Sequence, residues 1–88
     1  MYKIKEGFVL REVGGTSCVV PVGKASNDFK GIINLNGTGA FLFKKLQTGI
    51  TEEDLVDELL KEYNVDKEIA KRDVHSFIQK LLDGGIIE

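Results

Sequence analysis

Eighty-eight residues, 42% hydrophobic and 30% charged, provide for one hydrophobic core and exclude a second, so residues 1–88 are expected to form a single domain. Twelve basic against fourteen acidic residues give a net charge of −2 and a pI near 5.4, which argues against nucleic acid as a partner, because a chain that tracks phosphates carries a basic stripe. There is no run of about 18 apolar residues and no signal-peptide pattern after Met1, so neither a membrane span nor export is indicated. The lone cysteine, Cys18, cannot form an internal disulfide and fits a reducing, cytoplasmic setting.

The first third reads as strands. Phe8 to Val13 is rich in β-branched and aromatic residues, and Gly14-Gly15 supplies the positive-φ pair of a tight hairpin turn before Ser17-Cys18-Val19-Val20 returns. Pro21 has no backbone donor and belongs at a strand end or an unpaired edge. The polar stretch from Gly23 to Lys30 reads as a loop, with Phe29 expected to anchor it in the core. Gly31-Ile32-Ile33-Asn34-Leu35 follows as a third short strand.

Helices fill the remainder. Asn36 or Thr38 caps a helix carrying Phe41, Leu42, Phe43 and Leu46, which Gly49 is placed to end in a left-handed conformation. Thr51 caps the next, with Glu52, Glu53 and Asp54 at the positive end of its dipole and Ile50 positioned to staple onto Leu55. Leu55, Val56, Leu59, Leu60 and Tyr63 share its inner face. Asp66 caps a third helix, with Ala70, Val74, Phe77, Ile78 and Leu81 turned inward. Asp83-Gly84-Gly85 stops it, and Ile86-Ile87 are expected to fold back onto the core. The order, three strands of an antiparallel sheet and then three helices, defines an α+β domain with helices on one face of the sheet.

Catalytic constellations are missing from this inventory. His75 on the third predicted helix and Cys18 on the second strand have no further His or Cys to complete a metal site, so no metal and no cofactor is expected. Gly37-Thr38-Gly39 stands between a strand and a helix but lacks a phosphate-loop or dinucleotide fingerprint, and reads as a helix-start turn. Residues 51–63, with a local balance of −5, speak further against nucleic acid, and the acidic run at 52–54 reads as a first turn that complements the helix dipole rather than a cation site. The chain is expected not to be an enzyme.

A longer pattern runs through these elements. Gly31-Ile32-Ile33-x-Leu35-Asn36-x-Thr38-Gly39-x-Phe41-Leu42-Phe43-x-x-Leu46 resembles the centre of the PqqD-like proteins. So do Thr51-x-Glu53-x-Leu55, Tyr63-x-Val65 and Asp73-Val74-x-x-Phe77-Ile78-x-x-Leu81. The similarity runs from about Phe8 to Ile87; Phe43 stands where the family often has tryptophan, and Gly37 where an acidic residue is common. This resemblance implies a winged-helix-like peptide recognition element from a pathway that modifies ribosomally made peptides, as in pyrroloquinoline quinone synthesis. It implies that the partners are the leader of a precursor peptide and a maturation enzyme, frequently a radical S-adenosylmethionine enzyme. In the family the leader adds as a strand beside the third strand, in a groove closed by the third helix.

The residue pattern agrees with that placement. The third strand of a meander keeps one open edge, a template for strand addition, which nominates Ile32, Ile33, Asn34 and Leu35. At 100° per residue the third helix has two shoulders, one of Ile69, Asp73, Ser76 and Lys80, the other of Lys71, His75 and Leu82. The first is chosen for the groove because Asp73 belongs to the family-like pattern. Ile32 or Ile33 and Phe77 also suit a core role. The alternative function is a winged-helix DNA-binding regulator, but from Asp66 to Asp83 four basic and four acidic residues cancel.

Overall fold

In the hairpin, Gly14 and Gly15 adopt φ of +58° and +79°, the consecutive left-handed pair that a two-residue turn requires. In the computed structural model, which describes residues 1–28 and 31–88, this turn joins β1 (Phe8–Val13) to β2 (Thr16–Pro21). The ladder pairs Val13 with Thr16 and closes on Phe8 opposite Pro21, so the proline ends its strand. β3 (Ile33–Leu35) pairs antiparallel with β2, and the sheet order is β1-β2-β3.

Two features of the connection from β2 to β3 depart from the sequence reading. The stretch expected to be a plain loop contains a one-turn helix, α1 (Ala25–Asp28), tied by the Ser26 hydroxyl donating to the Gly23 carbonyl at 2.7 Å. Four residues are too few to show helical periodicity. The strand also starts later than Gly31, whose φ of +143° is not that of a strand. The expected core anchor, Phe29, lies outside the described residues.

Three longer helices follow: α2 (Gly37–Leu46), α3 (Glu52–Glu62) and α4 (Lys67–Asp83). The Asn36 side chain caps α2 by accepting from the Gly39 N–H at 2.7 Å, and Thr51 caps α3 by accepting from Asp54 N–H at 3.0 Å. Gly49, at φ +89°, turns the chain after α2. Asp66 holds the N-cap position of α4, yet its side chain makes no capping bond there.

The helices cover one face of the sheet. Phe43, Leu46, Leu55, Val74, Ile78 and Leu81 are completely buried with Val19 of β2, and Ile86 and Ile87 return into the same core. Residues 1–5, to which the sequence reading assigned no structure, pin both ends of the chain. Tyr2 and Ile50 exchange N–H···O bonds of 2.8 and 2.9 Å, and Lys5 N–H donates to Ile86 at 2.8 Å. Such bridges join residues remote in sequence, so no local pattern announces them. Among the described residues no helix is long and apolar enough to cross a membrane.

Candidate functional site

The direction of each backbone group along β3 follows from the register. In an antiparallel pair, residues alternate between those that exchange hydrogen bonds with a given neighbour and those that turn away. Val22 N–H donates to Gly7 O at 2.7 Å, so the pairs at steps of two from it, Val20 with Val9 and Cys18 with Arg11, are the bonded ones. Ser17 and Val19 therefore direct their N–H and C=O groups away from β1, toward their partners Leu35 and Ile33. Asn34, paired with Cys18, must point its own N–H and C=O outward. Asn34 is thus the backbone donor and acceptor of an open sheet edge, and Ile32 has the same parity.

Side chains alternate too, and paired residues share a face. Leu10, Val19 and Ile33 form one row on the core side, and Glu12, Ser17 and Leu35 the next. Leu35 is buried and Ile33 partly so, packed on the core cluster. Asn34 is exposed on the opposite face with Arg11 and Cys18, while Ile32, one residue before the ladder, is 62% exposed. Ile33 and Leu35 thus serve the core with their side chains, and Ile32 does not.

Beside the C-terminal end of β3 lies an open cleft of about 410 Å³. One wall is the strand-to-helix junction, with Asn36, Thr38, Gly39 and Leu42. Gly39 permits the close approach: a Cβ there would lie 3.3 Å from both Asn36 Oδ1 and Leu35 Cβ. The other wall is α4, with Asp73, Ser76, Phe77 and Lys80. Asp73 and Lys80 are exposed; the Asp73 carboxylate has Arg72 Nε 3.8 Å away, whereas Lys80 makes no ion pair among the described residues.

The structure brings Asp73, Ser76 and Lys80 together in this cleft, on the side of α4 that faces the junction between β3 and α2. Ile69 is exposed on the same helix one turn earlier and does not line it. The opposite shoulder turns to α3: His75 Nδ1 lies 3.2 Å from Glu52 Oε2, and Lys71 shares a separate cleft with Glu52, Glu53 and Asp57. Phe77, grouped with the core from its spacing, packs against the core while half-buried, and it also adds apolar surface to the cleft. Asn36, Thr38 and Leu42 were legible as cap and helix residues, but nothing in their spacing marked them as facing α4.

The clefts of the molecule also orient α4. Gly84 and Gly85, just past its end, share a cleft with Phe8 at the start of β1. Phe8 pairs with Pro21, at the end of the sheet where β3 begins. Helix α4 therefore runs opposite to β3, with Asp73 toward Thr38 and Lys80 toward Ile33.

Cys18 and His75 sit on separate faces, and no group of three or more His, Cys, Asp or Glu among the described residues is placed to hold a metal ion. Residues 8–87, which contain the edge, the cleft and the whole sheet, match the family described as coenzyme PQQ synthesis protein D. The chain belongs to the PqqD family.

Two solved structures share this PqqD-family fold. TbiB1 in complex with the TbiA(beta) leader peptide is 22% identical, with a TM-score of 0.77 over 98% of this chain and 94% of that one. Lasso peptide synthetase B1 complexed with the leader peptide is 18% identical, with a TM-score of 0.76 over 99% and 96% of the two chains. No curated protein matches the sequence.

Proposed function

We propose that this PqqD-family chain is a non-catalytic peptide-binding module that takes up the leader of a precursor peptide as an added strand on β3 and presents it to a maturation enzyme. The observation that carries the reading is the outward-facing backbone of Asn34, set beside the cleft between α2 and α4. Main-chain pairing at such an edge supplies affinity without demanding sequence, and an adjoining cleft supplies selectivity through alternate side chains. Two proteins of the same fold are described as complexes with leader peptides, which supports a peptide occupant here. A radical S-adenosylmethionine enzyme is the proposed recipient, by the family resemblance, and the cytoplasm the proposed setting. The proposed peptide contacts are Ile32, Ile33, Asn34 and Leu35 on the strand and Ile69, Asp73, Ser76 and Lys80 on the helix, joined by Asn36, Thr38 and Phe77.

Titrating the ¹⁵N-labelled chain with synthetic leader segments of candidate precursor peptides tests the reading. Amide shifts should concentrate in residues 32–38 and 69–80. Shifts confined to the acidic face of α3, or no shift at millimolar leader, would overturn it.

A further inference from the structure

The cleft beside β3 has charged ends of opposite sign. Asp73 and Lys80 are seven residues apart, close to two helical turns, so they project from one face of α4 about 10.5 Å apart along its axis. Half-buried Phe77 supplies apolar surface on the α4 wall between them. Because α4 runs opposite to β3, the acid lies toward Thr38 and the base toward Ile33.

We infer that this polarity selects the direction and the charge pattern of the bound strand: a peptide with a basic residue, an apolar residue two positions later and an acidic residue two positions after that. The inference deepens the peptide-binding reading and rests on it. Every pair in the sheet is antiparallel, and antiparallel pairing is the more stable, so the added strand runs against β3. Its residue opposite Asn34 makes the backbone bonds and turns its side chain away from the helices. The residues before and after it stand opposite Leu35 and Ile33, on the helix side of the sheet. With the chain running from the Thr38 end to the Ile33 end, the groove-facing positions meet Asp73 first, Phe77 next and Lys80 last. Four strand residues span about 13.6 Å, within reach of Lys80 and of a long basic side chain on the peptide. Arg72, 3.8 Å from the Asp73 carboxylate, competes for the same end from the solvent side; Lys80 is uncommitted among the described residues.

The test is a selection of random dodecapeptides, displayed in vitro, on the full chain and on the double variant Asp73→Lys, Lys80→Asp. Both positions are exposed, so circular dichroism and melting should match between the two proteins. Peptides retained by the native chain should be enriched in the basic–x–apolar–x–acidic order, and those retained by the variant in the reverse charge order. A synthetic peptide of the first kind should bind the native chain about fivefold tighter than its charge-reversed twin, the size expected of exposed pairs. In 1 M sodium chloride the difference should vanish, since charges are screened within about 3 Å, while binding itself persists. Retained peptides that shift residues 32–38 but show no charge order, or the same order on both proteins, would overturn the polarity and leave strand addition intact. Retention of no peptide would overturn both.

Discussion

Proline at successive positions of β3 separates the fold from its edge. Ile33 N–H faces β2, where its partner Val19 is fully buried. Ile33→Pro removes that donor and leaves a buried carbonyl unsatisfied, at about 1–3 kcal/mol. It also trims an apolar side chain packed on the core, worth roughly 1 kcal/mol more. A total near 3 kcal/mol is a large share of the stability of so small a domain. Asn34→Pro removes a donor that faces outward, from an exposed residue that no ladder bond needs. Its stability should stay within about 1 kcal/mol of the native chain. Binding should weaken at least about tenfold, since one hydrogen bond of 0.5–1.5 kcal/mol is lost and the ring stands where the added strand must pack. Urea unfolding followed by circular dichroism, and calorimetric titration with a peptide selected on the native chain, measure the two quantities. Equal stability of the two variants would refute the register argument. Native affinity in Asn34→Pro would refute strand addition at this edge.

Two further outcomes follow from packing and capping. Phe43 is completely buried, so Phe43→Trp, which introduces the residue common in the family, should overpack the core and lower the urea-unfolding free energy by about 1–3 kcal/mol. Asn36→Ala should cost about 1 kcal/mol by loss of the Gly39 N–H cap, and Asn36→Asp should retain most of it, both read from the urea midpoint.

What the sequence determined by itself was local. Two adjacent glycines, the β-branched run of β1 and Thr51 before three acids each specify a turn, strand or cap from neighbours within a few positions, and these stand where they were expected; the choice of Asn36 over Thr38 as the cap of α2 came only with the structure. Helical periodicity likewise separated Ala70, Val74, Ile78 and Leu81 from the exposed side of α4. It placed Phe77 on the inner face, where it packs on the core, but did not give its partial exposure to the cleft, because a residue at the margin of an inner face is covered or not according to what stands opposite. Nor could it decide which backbone groups of β3 face outward. Shifting the pairing by one residue preserves every local preference and inverts every direction, so the parity of Asn34 exists only once β1, β2 and β3 are in register. The cleft itself is a tertiary product: Asp73 and Lys80 are ordinary surface charges on α4 until the antiparallel run of that helix beside β3 sets them at opposite ends of one groove.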